Sequence, residues 1–281
     1  MKRKMNDTST HFLQNLNMKG KITLLLLILI ILSSFLFPIF LRTSYEEQNL
    51  ELGAVHPSFK HWFGTDILGR DLFIRTMYGI RVSFWVGICA TAVALVIGVT
   101  YGSISGYIGG WIDTWMMYLV DILYTMPFTM FVIILMTFFG RNFYLLFIAI
   151  GAVEWLTMAR IIRGKVLSIK QQDFITSAKA LGFSNPRILF RHIIPNLINI
   201  IVVYTTLTIP QVILLEAFLS FLGLGVQPPM CSLGVLIRDG VEVMEEYPWL
   251  LIFPAIIFTF TLLLLNLLGD SLQDASNEKI G

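Results

Sequence analysis

Long apolar runs alternate with polar connections of very unequal length. Six runs, near residues 22–41, 82–103, 114–139, 143–160, 197–222 and 249–268, predict helices that cross a hydrocarbon core of about 30 Å, since roughly 20 residues rising about 1.5 Å each suffice. The first run has the basic flank of a signal sequence in Lys19 and Lys21. It runs to spanning length, however, and "PIFLRTSYEE" offers no small-residue cleavage site, so it is expected to stay as an anchor.

Two connections carry helical patterns of their own. In "HWFGTDILGRDLFIRTMYGIRVS", Thr65 or Asp66 is placed to cap a helix. Its apolar side would hold Ile67, Leu68, Phe73, Ile74 and Met77, and its polar side Arg70, Asp71 and Arg75, so that it lies along the membrane surface. Asp66 and Arg70 would form an i,i+4 pair worth about 0.2–0.5 kcal/mol. For Asp66, Arg70 and Asp71 both structural pairing and a docking or gating role on the outer face stay open. In "DFITSAKALGFSNPRILFRHIIPN", residues 173–196, Asp173 is expected as the cap of a short helix with Phe174, Ala178 and Leu181 on one face. Gly182 would take the left-handed conformation that ends it. Asn185 then caps a second helix with Pro186 in its first turn, and Pro195 punctuates the approach to span five. A connector between spans needs only a few residues, so this half-polar excursion points to a partner.

Within span two, Ala90, Ala94, Gly98, Gly102, Gly106 and Gly110 recur every four residues. Helices in lipid associate through close packing, and such a stripe predicts another helix lying along it.

Composition changes the picture only in detail: 56% hydrophobic and 14% charged residues describe a membrane protein. Most of the 20 basic residues fall at the termini and in the loop after span four, among them Lys2, Arg3, Lys4, Arg160, Arg163, Lys165, Lys170, Lys179, Arg187, Arg191 and Lys279. The outer segments hold Arg42, Lys60, Arg70, Arg75, Arg141 and Arg238, with Arg81 at a boundary, and most of the acids. Basic residues mark the cytoplasmic side, so both termini and residues 173–196 are expected there. The net charge of +2 is thereby absorbed and gives no reason to expect nucleic acid. Cys89 and Cys231 are too far apart in the topology to pair, and His56 and His61 make a weak metal pair at most.

No phosphate loop, nucleophile elbow or H-E-x-x-H motif is present, so the chain is not read as an enzyme. Candidate chemistry is confined to the spans. Asp121, Glu154 and Glu216 are ionisable residues in apolar runs, where a central charge costs about 2.5–3.5 kcal/mol on insertion scales. Pro127 and Pro210 interrupt spans three and five. With Tyr124, Thr208 and Gln211 these residues are the candidates for a substrate pathway or gate; hydration at an interface and static kinks are the plainer alternatives.

The loop at 173–196 resembles that of permease subunits of binding-protein-dependent ABC importers: Ala178, Gly182 and "HIIPN" fit the family's E-A-A-x-x-x-G pattern and exit. "HWFGTDILGRD", "YGIRVS", "GYIGGWID", "ILLEAFLSFLGLGVQPP" and "LNLLGDSLQDA" resemble, in order, the C-type subunit of oligopeptide, dipeptide and nickel permeases over about residues 55–275. Thr176 stands where the loop glutamate is expected, which puts one charged contact in doubt, and Cys231-Ser232-Leu233-Gly234 replaces a segment with Trp before glycine.

The resemblance implies an all-α integral membrane protein of six transmembrane helices with the type I ABC importer fold. Residues 1–81 would form a cytoplasmic tail, first span and outer segment, 82–270 the transmembrane core, and 271–281 a cytoplasmic tail. Residues 173–196 would be the coupling loop, with Asp173, Thr176, Ala178, Leu181, Gly182, Pro186 and Arg187 facing an ATP-binding subunit. A second homologous permease subunit, one or two ATP-binding subunits that hold ATP and Mg, and an extracytoplasmic solute-binding protein would complete the importer in a bacterial plasma (inner) membrane. This chain would bind no cofactor, and membrane lipid would surround it. Peptides are the expected cargo, with a nickel chelate or an opine as alternatives. An ion-coupled secondary transporter is the rival from another class, disfavoured by the long loop and the lack of an obvious inverted repeat; a purely structural membrane subunit is a third reading.

Overall fold

The structure, a computed structural model, describes residues 16–140 and 142–277, leaving aside the side chains of Phe128 and Asn277. Lys2, Arg3, Lys4, Arg141 and Lys279, which entered the orientation reading, lie outside the described residues. Helix α1 spans Met18–Leu41 and begins at Asn17, whose side chain accepts from the Gly20 amide at 2.7 Å. Helix α2, Leu72–Ile108, is longer than the apolar run alone implied. Helices α3, Gly110–Thr125, and α4, Phe128–Phe139, share the third apolar run, and α5 covers Phe143–Lys170. The short α6, Asp173–Ala180, and α7, Asn185–Ile188, precede α8, Ile194–Phe221. Helices α9, Leu233–Glu242, and α10, Trp249–Asn277, complete the chain.

Among the described residues five helices are long and apolar enough to cross a membrane, with α7 and α8 taken as one. The third apolar run is the exception. It bends by 87° between α3 and α4, and the pair makes the sixth span only when joined across that bend. The break follows from Pro127, which pushes Met126 into extended backbone at ψ 134° and so ends α3 at Thr125.

The expected surface helix starting at Thr65 or Asp66 is not formed; helix begins only at Leu72. Asp66 Oδ1 instead accepts from the amides of Leu68 and Arg70 at 2.9 and 3.0 Å, which folds residues 66–70 into a turn. Asp71 is the cap, accepting from the Ile74 amide at 3.0 Å. From there α2 runs without interruption into span two.

The stripe on α2 lies against α5. A Cβ on Gly98 would stand 2.6 Å from the Met158 Cβ, one on Gly102 2.4 Å from the Ala159 carbonyl oxygen, and one on Gly106 2.9 Å from that of Arg163. Ala90 and Ala94 are fully buried in the same seam. Gly110 falls outside the contact: it starts α3, and a Cβ there would meet nothing within 4 Å. Elsewhere α1 packs on α2 and α10, and α8 on α2 and α10. The start of α1 and the end of α10 meet where a Gly20 Cβ would come 2.9 Å from Ser271 Cβ.

Gly102→Ala is therefore expected to force the α2 and α5 backbones apart, an overpacking that typically costs about 1–3 kcal/mol, and to lower the melting temperature of the purified membrane protein. Gly164→Ala, on an open face of α5 with nothing within 4 Å, should leave it unchanged or raise it. Equal melting of the two variants would remove the role given to the seam.

Candidate functional site

The excursion between α5 and α8, read from the sequence as a partner contact, is seated on the ends of the membrane helices. Ile175 and Ala178 of α6 are buried together with Val166 and Ile169 of α5 and with Ile188, Ile193 and Leu197. The buried face is thus Ile175 and Ala178, whereas Phe174 and Leu181, expected beside Ala178, point outward at 40% and 74% exposure. Gly182 takes φ 77° as expected. Its amide donates to the Lys179 carbonyl at 2.9 Å and the Phe183 amide to that of Ala178 at 3.2 Å, the paired bonds of a Schellman ending.

Two caps differ from expectation. Gln172, not Asp173, holds the cap position of α6, and Asp173 sits in the first turn, where its charge still meets the positive helix end. Ser184 precedes α7, and Asn185 accepts instead from the Tyr107 hydroxyl at 2.9 Å, tying the loop to the end of α2. Nor is α7 a separate helix. Residues Leu189–Ile193 form a π-helical turn that carries it into α8, with the Ile194 amide donating to the Leu189 carbonyl. Pro195, which has no amide hydrogen and crowds the preceding turn, follows that widened turn directly. Thr176, Leu181, Pro186 and Arg187 are exposed.

At the opposite end of the bundle, Asp66 is buried and bridges two arginines: Arg70 Nε at 2.7 Å and Arg75 Nη1. Arg75, itself 4% exposed, also approaches Asp239 of α9 at 3.6 Å. Asp71 is held by His61 Nδ1 at 2.8 Å besides capping α2. Cys231 is fully buried beneath Arg75, and burial pushes its thiol up.

The intramembrane candidates fall into two unconnected groups among the described residues. Asp121 accepts from Arg160 Nη2 at 2.7 Å, and the same guanidinium lies 4.2 Å over the Tyr124 ring, on an exposed face of α3 and α5. Glu216 is fully buried. It accepts from Ser220 at 2.6 Å and from Ser83 at 3.3 Å, while Ser83 also receives the Leu233 amide at 3.2 Å, so this carboxyl ties α8 to α2 and the start of α9. Pro210 is buried, Pro127 and Gln211 are exposed, and Thr208 bonds back to the Tyr204 carbonyl at 2.7 Å. Glu154 is half-buried.

The family model for the binding-protein-dependent transport system inner membrane component matches residues 98–281. The chain is 44% identical over 259 residues to the oligopeptide transport system permease protein OppC of Haemophilus influenzae, spanning 92% of this chain and 83% of that protein. It is 43% identical over 264 residues to OppC of Bacillus subtilis, spanning 94% and 87%. The chain belongs to this family.

As an ABC importer permease subunit it is also 42% identical over 261 residues to the dipeptide transport system permease protein DppC of Bacillus subtilis, spanning 92% and 80%. In fold it is similar to a solved structure of inward-facing conformations of the MetNI methionine ABC transporter, with a TM-score of 0.53 at 15% identity over 73% of this chain and 96% of that one. The type I importer fold and the membership expected from the motifs are thus confirmed.

Several ties in this permease escaped the sequence reading. Arg163 of α5 grips Asp113 of α3 with Nε and Nη2, each at 2.6 Å, and Ser105 donates to the same carboxylate. In the sequence Arg160 and Arg163 mark orientation; their helical spacing against Asp113 and Asp121 is the local signal of these pairs. Tyr107, Ser83, Ser220 and Ser232 carried no signal, because nothing local distinguishes a hydroxyl that meets a distant helix.

Asp66→Ala leaves Arg75 buried without its main counter-charge, a loss that typically costs about 3–5 kcal/mol; it is expected to abolish or sharply lower the yield of folded protein. Asp121→Ala breaks an exposed pair, worth under about 1 kcal/mol, and should melt within a few degrees of the parent. The ranking is checked by thermal unfolding of both variants in one detergent.

Proposed function

We propose that this permease forms one half of a translocation pathway for short peptides, with α6 as the element through which separate ATP-binding subunits act on it. The observation that carries the proposal is the build of the loop. Ile175, Ile188 and Ile193 are fully buried beneath it and Tyr107 holds Asn185, while Phe174 and Leu181 stand exposed on its outer face. A rigid base with an unpartnered apolar surface suits a partner's cleft, and the membrane half of an importer needs such a contact because it has no nucleotide site of its own. Peptide cargo is supported by the names of the relatives, which are oligopeptide and dipeptide permeases. A second permease subunit, a solute-binding protein on the face of Asp66 and Arg70, and ATP with Mg on the ATP-binding chains complete the reading. Asp173, Thr176, Arg187 and the exposed Leu181 are assigned to the ATPase contact, and Asp121, Tyr124 and Gln211 to the pathway; Glu216, enclosed by serines, would act there by holding α8 in place.

The test is reconstitution with these partners in vesicles, followed by ATP-dependent accumulation of labelled di- to pentapeptides against chelated nickel. Peptide uptake is expected. Nickel uptake alone would overturn the cargo, and accumulation driven by an ion gradient without ATPase would overturn the coupling.

Gly182→Val places a β-branched residue at a left-handed position, a strain of about 1–3 kcal/mol, with no steric clash, since nothing lies within 4 Å of the added Cβ. Uptake should fall several-fold in a well-assembled importer, whereas Gly182→Asn, which tolerates that backbone, should keep most of it.

We assign the α6 end to the cytoplasm from the distribution of Lys and Arg. Cys231 cannot report this, being buried. In a cysteine-free background, Leu181→Cys should react with an impermeant thiol reagent only after the cell is opened, and Phe59→Cys in intact spheroplasts; both side chains are well exposed. The reverse pattern would invert the topology.

A further inference from the structure

Pro38 lies inside α1 and has no amide hydrogen, so the carbonyl of Ser34, four residues earlier, has no donor within its own helix. In a hydrocarbon core no water can replace it. Arg81 of α2 does: its Nε donates to the Ser34 carbonyl at 2.7 Å and its Nη2 to the same oxygen. That use leaves Nη1 and part of Nη2 for another acceptor. The guanidinium rests 4.6 Å over the Phe35 ring, and among the described residues no carboxylate lies within ion-pair distance of it. A cation therefore sits at the outer edge of span two, against the apolar flank of α1, with a carbonyl dipole but no counter-charge, an arrangement that marks a partner.

Arg81 also heads a groove of about 180 Å³ between α1 and α2, lined by Ile31, Phe35, Phe84, Trp85 and Ile88. Phe35, Trp85 and Ile88 are 45%, 59% and 50% exposed, so the groove opens on the flank of two helices that both qualify as membrane spans. Ser34 lies seven residues before the end of α1, or about 10 Å along the axis, within reach of headgroup level for a long flexible side chain. We propose that this groove binds an anionic glycerophospholipid, one acyl chain lying along Ile31, Trp85 and Ile88 and the phosphate pairing with the N–H groups of Arg81 that Ser34 leaves free. The lipid belongs to the leaflet at the end of the bundle that carries residues 42–71. A small soluble anion fits the site poorly: apart from Arg81 and Ser34 the lining is apolar, and the ion would be stripped of water without an acyl chain to fill the groove.

The complication is that Arg81 serves two acceptors, and Pro38→Ala separates them. Restoring an amide hydrogen at 38 lets Ser34 pair within α1, so Arg81→Gln on that background removes the charge without orphaning the carbonyl. Importers carrying each variant are purified with their partner chains from nanodiscs of phosphatidylcholine with or without phosphatidylglycerol, and retained lipid is weighed by native mass spectrometry. The parent and Pro38→Ala are expected to retain phosphatidylglycerol with about a fivefold preference, the scale of one basic residue at an anionic surface. Pro38→Ala/Arg81→Gln should lose that preference while melting as Pro38→Ala does in pure phosphatidylcholine, and Pro38→Ala/Arg81→Lys should keep it. Ile88→Trp, which fills the groove and leaves the charge, should lower retention of both lipids. An unchanged preference in the Gln variant, no preference in the parent, or equal stabilisation by inorganic phosphate would overturn the proposal.

Discussion

The close approach of α2 and α5 is the contact on which the rest of the molecule depends. Hydrophobic exclusion does not hold helices together in lipid, so the seam has to be made by van der Waals packing, and glycines at 98, 102 and 106 let the Met158 side chain and the carbonyls of Ala159 and Arg163 come within what would be a Cβ radius. The consequences run outward along both helices. The end of α2 supplies Tyr107, whose hydroxyl holds Asn185, and the end of α5 supplies Val166 and Ile169, against which Ile175 and Ala178 pack. The exposed loop is thus seated on the closely packed pair α2 and α5, whose seam the three glycines make.

Polar ties then fix the other elements to this pair, some within the spans and some at their ends. Arg160 and Arg163 hold α3 through Asp121 and Asp113. Glu216 and its serines fasten α8 to α2 and α9, and Asp66 with Arg75 and Asp239 closes the far end. Arg81 ties α1 through the one carbonyl that Pro38 frees. Most of these ionisable groups thus tie helices together; Asp121 and Arg160 do so on an open face, and Glu154 is half-buried on α5.

Proline and glycine set where the chain departs from straight spans. Pro127 produces the 87° bend between α3 and α4 by excluding helical backbone at Met126. Pro195 is accommodated by a π turn and leaves the run from 185 to 221 continuous, so a residue read as punctuation does not end a helix here.

The apolar runs, the basic loops, the small-residue stripe and the left-handed Gly182 were legible in the sequence because each is local: span length, glycine spacing and the φ a turn requires depend on neighbours a few residues away. The importer motifs were legible for the same reason. The start of α2 was misread, since Asp66 and Asp71 are both good caps and only the turn built by the Asp66 side chain decides between them. Which face of α6 is buried, which acceptor Tyr107 finds and which carbonyl Arg81 completes were decided by the tertiary structure alone. These are pairings across tens of residues, made where helices from distant parts of the chain bring donors and acceptors within 3 Å; at the Ser34 carbonyl, lipid offers no substitute.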